Sequence, residues 1–146
     1  MHISTSRFGS VSVKPDDVVT FASGLIGYES CKQWVLMADA ESNSIGWLQC
    51  VQLPEVAMAV ISPRRFLPDY HVRVSRSQLA PLDLSDVDQA FVLNVLAMNA
   101  GRLTVNLRAP VLINLNRRLG RQMITNDEQP VQFELSAGSL KLRKTA

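Results

Sequence analysis

A strict alternation of apolar and polar residues runs along positions 103–116 of the chain. Every odd position from 103 to 115 is apolar and most even positions are polar, with Pro110 and Leu112 as the exceptions. This period-two pattern predicts β-strand. Thirteen such residues would span roughly 43 Å, too far for a 146-residue globule with a radius of gyration of about 15 Å. Because proline cannot donate to a strand ladder, we predict a corner at Pro110. We expect the odd residues on both sides of it to pack in one core, and Asn106 and Asn114 to face outward.

Shorter patterns predict further strands. HISTS and SVSV, joined at residues 7–9, indicate a hairpin, and positions 18–21 and 71–75 alternate as strands do. Continuous apolar runs at 34–38, 56–61 and 91–98, with 47–51 between the first two, are typical of central strands. Helical signal is confined to a turn or two at 30–33 and 85–89. The prediction is an all-β fold: a small antiparallel β-barrel, closed or nearly closed, with short helical connections. Residues 1–125 form the domain, followed by a C-terminal segment, 126–146, without a recognisable packing pattern.

Composition places the chain among ordinary globular proteins. Hydrophobic residues make up 47% of it, which argues against disorder, and a net charge of +2 is too small to indicate nucleic acid by itself. The N-terminus lacks the apolar core of a signal peptide, and no apolar run reaches the roughly 18 residues of a membrane helix. We therefore expect a cytoplasmic protein without membrane contact, in which Cys31 and Cys50 are reduced, partly buried thiols.

Reactive chemistry is sparse along the sequence. The two histidines, His2 and His71, have no partner at metal-ligand spacing. Cys50 and His71 could act as nucleophile and base only if the fold brought them together. The acidic segment DLSDVD, at 83–88, is interpreted as a capped turn before the strand at 91–98. The sequence thus predicts neither an enzyme nor a bound metal or cofactor.

Arginines suggest an alternative function, a small β-barrel that binds single-stranded RNA. Such a protein stacks bases on exposed aromatic side chains beside basic groups. The chain has nine aromatic residues (five Phe, two Trp, two Tyr), several of them within apolar runs and none interleaved with arginines. RNA binding remains the alternative to the protein-binding function developed next.

Four segments, in order, resemble one known family. They are RFGSVSV (7–13), VVTFASGLIGYES (18–30), WLQCVQLPEVAMAVISPRRFLPDYHV (47–72) and TVNLRAPVLINLNRRLGRQMI (104–124). Together they resemble the flagellar assembly factor FliW family over nearly the whole chain to about residue 124. Each motif alone is weak, but four in the same order and spacing are specific.

The resemblance implies a cytoplasmic β-barrel, monomeric when unbound, that binds proteins. Members of the family bind flagellin, acting as a chaperone, and bind the translational regulator CsrA. Once flagellin is exported, the freed factor occupies CsrA and relieves the repression of flagellin synthesis. Family members are often acidic, so the charge of +2 here favours a shape-based or allosteric mechanism over an electrostatic one.

We predict the partner-binding residues in the family's central block. Prolines at 54, 63 and 68 exclude regular strand there and indicate exposed loops. Phe66 and Tyr70 are rigid aromatic anchors of the kind that dominate binding energy. The alternative for these two is structural: Phe66 plugs the barrel mouth and Tyr70 caps it through its hydroxyl. The predicted partner-binding residues are Gln49, Glu55, Arg64, Arg65, Phe66, Asp69 and Tyr70.

Overall fold

Eleven β-strands and one short α-helix form the regular structure of residues 1–135, the part of the chain that this computed structural model describes. The strands are β1 (His2–Thr5), β2 (Gly9–Ser12), β3 (Val18–Thr20), β4 (Gln33–Ala38), β5 (Ile45–Cys50), β6 (Ala57–Ile61), β7 (Phe91–Asn99), β8 (Arg102–Val105), β9 (Val111–Asn114), β10 (Leu119–Gln122) and β11 (Phe133–Glu134), and the helix is α1 (Arg76–Leu79). Short 3-10 turns lie at Pro15–Asp17, Pro63–Arg65, Ala80–Leu82 and Val87–Gln89. The all-β prediction is confirmed. Of the predicted C-terminal segment, residues 136–146 lie outside the described residues.

Seven of the strands close a barrel. They follow the order β7, β6, β5, β4, β3, β10, β9, and β9 pairs back onto β7. Neighbours are antiparallel except β3 and β10, which meet in parallel at Thr20 and Leu119. Strand β8 extends the sheet from the second half of β7, and β11 pairs with β8. The predicted closed barrel is therefore confirmed, with one parallel contact that the sequence did not indicate.

The predicted corner lies between β8 and β9. Val105 pairs with Leu96 of β7, and Val111 pairs with Leu93 of the same strand. Five residues, 106–110, thus stand opposite only residues 94 and 95, so the chain bulges outward as at barrel corners. The Asn106 side-chain oxygen accepts two backbone amides inside this bulge, each at 3.1 Å. The corner's position and the structural role of Asn106 are confirmed.

Two hydrophobic cores meet at the corner. The barrel core fills the barrel's interior, and the outer core packs between the outside of β6–β9 and the segment 66–90. Fully buried members of the barrel core include Phe21, Trp34, Leu48, Val60, Val111 and Ile113. Members of the outer core include Tyr70, Leu79, Leu82, Leu96, Val105 and Leu112.

The expectation that both halves of the alternating stretch share one core is wrong. Leu103, Val105 and Leu107 pack in the outer core, whereas Val111 and Ile113 pack in the barrel core. Across the bulge the odd-numbered side chains change from the outer face of the sheet to the barrel interior. In β9 the other face is buried as well, because Leu112 packs in the outer core.

Asn114 is therefore buried, contrary to its predicted outward position. Its amide donates to the Leu82 carbonyl at 2.8 Å, so the polar side chain is paired inside the fold. Leu115, predicted inward, is 47% exposed because β9 has already ended.

Two local predictions, a strand at 71–75 and a helical turn at 30–33, are wrong. Residues 71–75 form no strand; the segment runs irregularly over the outer core, and the Arg73 amide donates to the Thr125 hydroxyl at 2.9 Å. Ser75 then caps α1. No helical turn forms at 30–33, where the chain instead enters β4. The predicted turn at 85–89 is confirmed as the 3-10 turn Val87–Gln89, capped by Asp86.

The predicted N-terminal hairpin, β1 with β2, forms a separate small sheet. Ile3 and Val13 pack on Val35 on the outer face of β4. At the hairpin's turn the Arg7 guanidinium lies 3.9 Å from the centre of the Trp47 ring. The hairpin therefore covers the outer side of β4 and reaches the Trp47 side chain of β5.

Candidate partner-binding surface

The loop after β6 contains five of the seven predicted binding residues and is internally ordered. It opens with the 3-10 turn Pro63–Arg65, and the amide of Tyr70 closes a further turn on the Leu67 carbonyl at 3.0 Å. Arg64 lies 4.0 Å from Asp88, an exposed pair that adds little stability. The structure thus presents the loop as a preformed surface.

The two aromatic anchors of the loop differ. Tyr70 is only 6% exposed. Its hydroxyl donates to the Leu107 carbonyl at 2.6 Å and accepts from the Asn94 amide at 3.3 Å. Burial raises the pKa of this hydroxyl. Tyr70 thus matches the capping alternative, and Phe66, half-buried against the outer core, keeps part of its ring at the surface.

Gln49 and Glu55 lie away from this loop. The Gln49 side chain is fully buried, and its amide nitrogen faces four backbone carbonyls of the β5–β6 turn at 3.1–3.4 Å. It holds the turn and offers no surface to a partner. Glu55 is exposed in that turn. The five residues of β6, about 17 Å long, separate it from the loop.

An apolar groove of about 310 Å³ runs between the loop and the chain segment 129–133. We call it the loop groove; its walls are Leu67, Pro68, Tyr70, Leu107, Pro130 and Phe133. Asp69 and Gln129 also line it, and Asp69 and Pro68 are exposed. The first wall is part of the predicted loop, whereas the second was not predicted from the sequence; its signal there is the alternation of Phe133 and Leu135 in QFEL.

The candidate nucleophile and base, Cys50 and His71, are not brought together by the fold. Cys50 is buried in the barrel core, whereas His71 is exposed on the outer side of the fold, so the two form no nucleophile–base pair. Cys31 is also buried and free, and burial raises the pKa of its thiol. No cluster of three His, Cys, Asp or Glu side chains able to hold a metal occurs among residues 1–135. No helix in the same part of the chain is long and apolar enough to span a membrane.

The acidic segment 83–88 serves local structure, as predicted. Asp86 accepts the Asp88 amide at 2.9 Å, and Asp83 pairs with Arg117 at 2.9 Å. Stacking groups for RNA are also scarce, because Tyr28, at 41%, is the most exposed aromatic residue of residues 1–135 and the others are half-buried or buried. Single-stranded RNA binding needs several such rings.

Residues 1–135 therefore form a small closed β-barrel that carries an apolar groove on its surface. The model of the family described as FliW protein matches residues 2–135, and the chain belongs to that family. The resemblance seen in the sequence is confirmed.

Relatives and a solved structure agree with this assignment. The flagellar assembly factor FliW of Bdellovibrio bacteriovorus is 35% identical over 129 residues, covering 87% of this chain and 74% of the relative. That of Natranaerobius thermophilus is 34% identical over 127 residues, covering 85% and 84%. A crystal structure of the flagellar assembly factor FliW superposes with a TM-score of 0.81 at 26% identity, covering 92% of this chain and 95% of the other. The protein is thus placed among flagellar assembly factors.

Proposed function

We propose that this protein binds flagellin and the translational regulator CsrA in the bacterial cytoplasm, and that the two compete for it. Its membership of a flagellar assembly family over residues 2–135 carries the proposal. When flagellin leaves the cell, the freed factor occupies CsrA and flagellin synthesis resumes. The relative affinities of the two partners then set the flagellin level.

The loop groove is the proposed docking site for flagellin. Its apolar walls and the exposed Asp69 suit a short segment that offers apolar side chains and one basic or amide donor. The groove is preformed, because the Leu107 amide donates to the Pro130 carbonyl at 3.0 Å and so fixes its second wall. A preformed site loses little conformational entropy on binding.

The mechanism toward CsrA is proposed to depend on shape. With a net charge of +2, the protein lacks the negative field that would repel RNA from CsrA. Affinity for CsrA should therefore depend weakly on salt.

Calorimetric titration of flagellin and of CsrA into the purified protein tests the proposal. Asp69→Ala, in the wall of the loop groove, and Phe66→Ala, in the loop directly before that wall, should each weaken flagellin binding, and the aromatic change should do so about thirtyfold, or 2 kcal/mol. Leu115→Ala is the matched control, since Leu115 is exposed and lies outside the loop groove.

Two results would contradict parts of the proposal. Unchanged binding of both partners in the loop variants moves the site, most plausibly to the loop of residues 23–29, where Ile26 is 53% exposed. Ile26→Ala tests that position directly. Failure of the unmodified protein to bind either partner would refute the function itself.

A further inference from the structure

A second apolar groove, about 400 Å³ in volume, lies on the outer face of the sheet. We call it the sheet groove. Its lining includes Trp47 of β5, Ala57 and Ala59 of β6, Leu96 and Met98 of β7, and Leu103 of β8. It lies between the hairpin β1–β2, whose turn reaches Trp47, and the outer core. Small alanines in its middle keep it recessed.

The groove lies beside the paired stretch of β6 and β7. Registered pairs join Val60 to Val95 and Ile61 to Asn94, and the alanines that line the groove precede that stretch in β6. The groove therefore offers an occupant an apolar surface made of side chains.

The apolar character of this groove reaches the surface. Met98, at its rim, is 68% exposed, the highest value among the large apolar side chains of residues 1–135. Exposed apolar groups that line one groove mark an interaction site more strongly than the same groups scattered singly.

The described chain ends beside this groove. The Leu135 amide donates to the carbonyl of Leu103, a lining residue, at 2.9 Å. Eleven residues, 136–146, follow. Fully extended they would reach about 36 Å, while Trp47 is three strand spacings from β8, about 14 Å. The remaining chain is long enough to cross the groove.

The sequence of this remaining chain is complementary to the groove. SAGSLKLRKTA contains Leu140 and Leu142 in alternation with Lys141 and Arg143, followed by Lys144. At the far end of the groove, Asp39 accepts the Trp47 indole N–H at 2.8 Å, and Glu41 is exposed two residues further on. Leucines thus match an apolar floor, and basic residues match an acidic end.

We propose that the sheet groove is the docking site of the chain's own C-terminal residues 136–146. The leucines supply the apolar contact, and the basic residues supply the attraction to Asp39 and Glu41. Tethering makes the encounter intramolecular, at an effective concentration in the millimolar range, so even a weak contact covers the groove. A partner or a second copy of the chain would have to displace the segment to reach it.

Tryptophan fluorescence of the full-length protein tests this. Trp34 is fully buried, so acrylamide reaches mainly Trp47, which lines the groove. In the double variant Leu140→Ser/Leu142→Ser the quenching constant should rise about twofold, with the melting temperature unchanged. The control Leu115→Ser/Ile124→Ser removes two exposed apolar side chains outside the groove and should leave quenching as in the unmodified protein.

A synthetic peptide of residues 136–146, added in excess to the tail variant, should restore the shielding of Trp47. Glu41→Gln should increase quenching in the unmodified chain, and this increase should shrink at high salt. Equal quenching in the tail variant and the unmodified protein would overturn the proposal. So would shielding that rises with protein concentration together with dimers in sedimentation, because the occupant would then be a second copy.

Discussion

Replacing Tyr70 separates a structural role from a binding role. The ring is 6% exposed, within the outer core, so Tyr70→Ala should cost about 3–5 kcal/mol of folding free energy. That is a large share of the 5–15 kcal/mol typical of a domain. For a chain of this size it corresponds to a drop in melting temperature of about 6–20 °C.

Tyr70→Phe isolates the hydroxyl from the ring. It removes the 2.6 Å bond to Leu107 and leaves that buried carbonyl unpaired, which costs about 1–3 kcal/mol. The ring and its packing stay in place. The two variants should therefore form a graded series in thermal and urea unfolding, with alanine the more destabilised.

Tyr28→Ala is the matched control, because Tyr28 is the other tyrosine of the chain and is 41% exposed. Its ring makes one edge-on contact with Trp34, with the ring centres 6.4 Å apart. Its loss should cost about 1 kcal/mol. An unchanged melting temperature of Tyr70→Ala together with an about thirtyfold loss of flagellin affinity would contradict the structural role. Tyr70 would then be a binding hot spot.

Three further outcomes are expected. Ile113→Asp buries a carboxylate in the barrel core and should prevent folding, or lower the free energy of unfolding by several kcal/mol in urea titration. Asn106→Asp keeps the side-chain oxygen that accepts the two corner amides and should cost little stability. Equal losses in the two variants would contradict the burial pattern. Gly24→Ala should be strongly destabilising in thermal melts, because φ is +65° and the added carbon would lie 2.5 Å from the Tyr28 carbonyl oxygen. The folded-state pKa of Tyr70 is raised above the unfolded value of about 10. The stability that its protonated hydroxyl contributes is therefore complete below about pH 10 and is lost as the pH rises through the folded pKa. Between about pH 9 and pH 11 the unmodified protein should lose more stability than Tyr70→Phe.

The sequence predicted the elements better than it predicted their surroundings. Continuous apolar runs became β4, β6 and β7, and the alternating N-terminus became a hairpin. Such patterns depend on the chain's own period and survive in any globular context. Residues 71–75 alternate as well, yet form no strand; their valines pack on the outer core, and the segment pairs with none of the strands of residues 1–135. Alternation specifies a buried face, and pairing depends on the rest of the fold.

The candidate site was only half visible in the sequence. The prolines located the exposed loop, but they could not show that the Tyr70 side chain turns inward to a carbonyl 37 positions away. The burial of Gln49 was equally hidden, because an amide that satisfies a turn has the same sequence signature as one that binds a partner. Contacts distant in sequence carry this information, and periodicity contains none of it.

The corner at 106–110 connects the fold to the proposed site. Before it, β8 packs in the outer core; after it, β9 pairs with β7 and closes the barrel. Within it, the Leu107 carbonyl accepts the Tyr70 hydroxyl, and the Leu107 amide donates to the Pro130 carbonyl. One residue of the bulge therefore fixes both walls of the loop groove. The bulge at 106–110, which contains Pro110, allows residues 103–116 both to close the barrel and to shape a surface outside it. An unbroken strand would have directed the same side chains into one core.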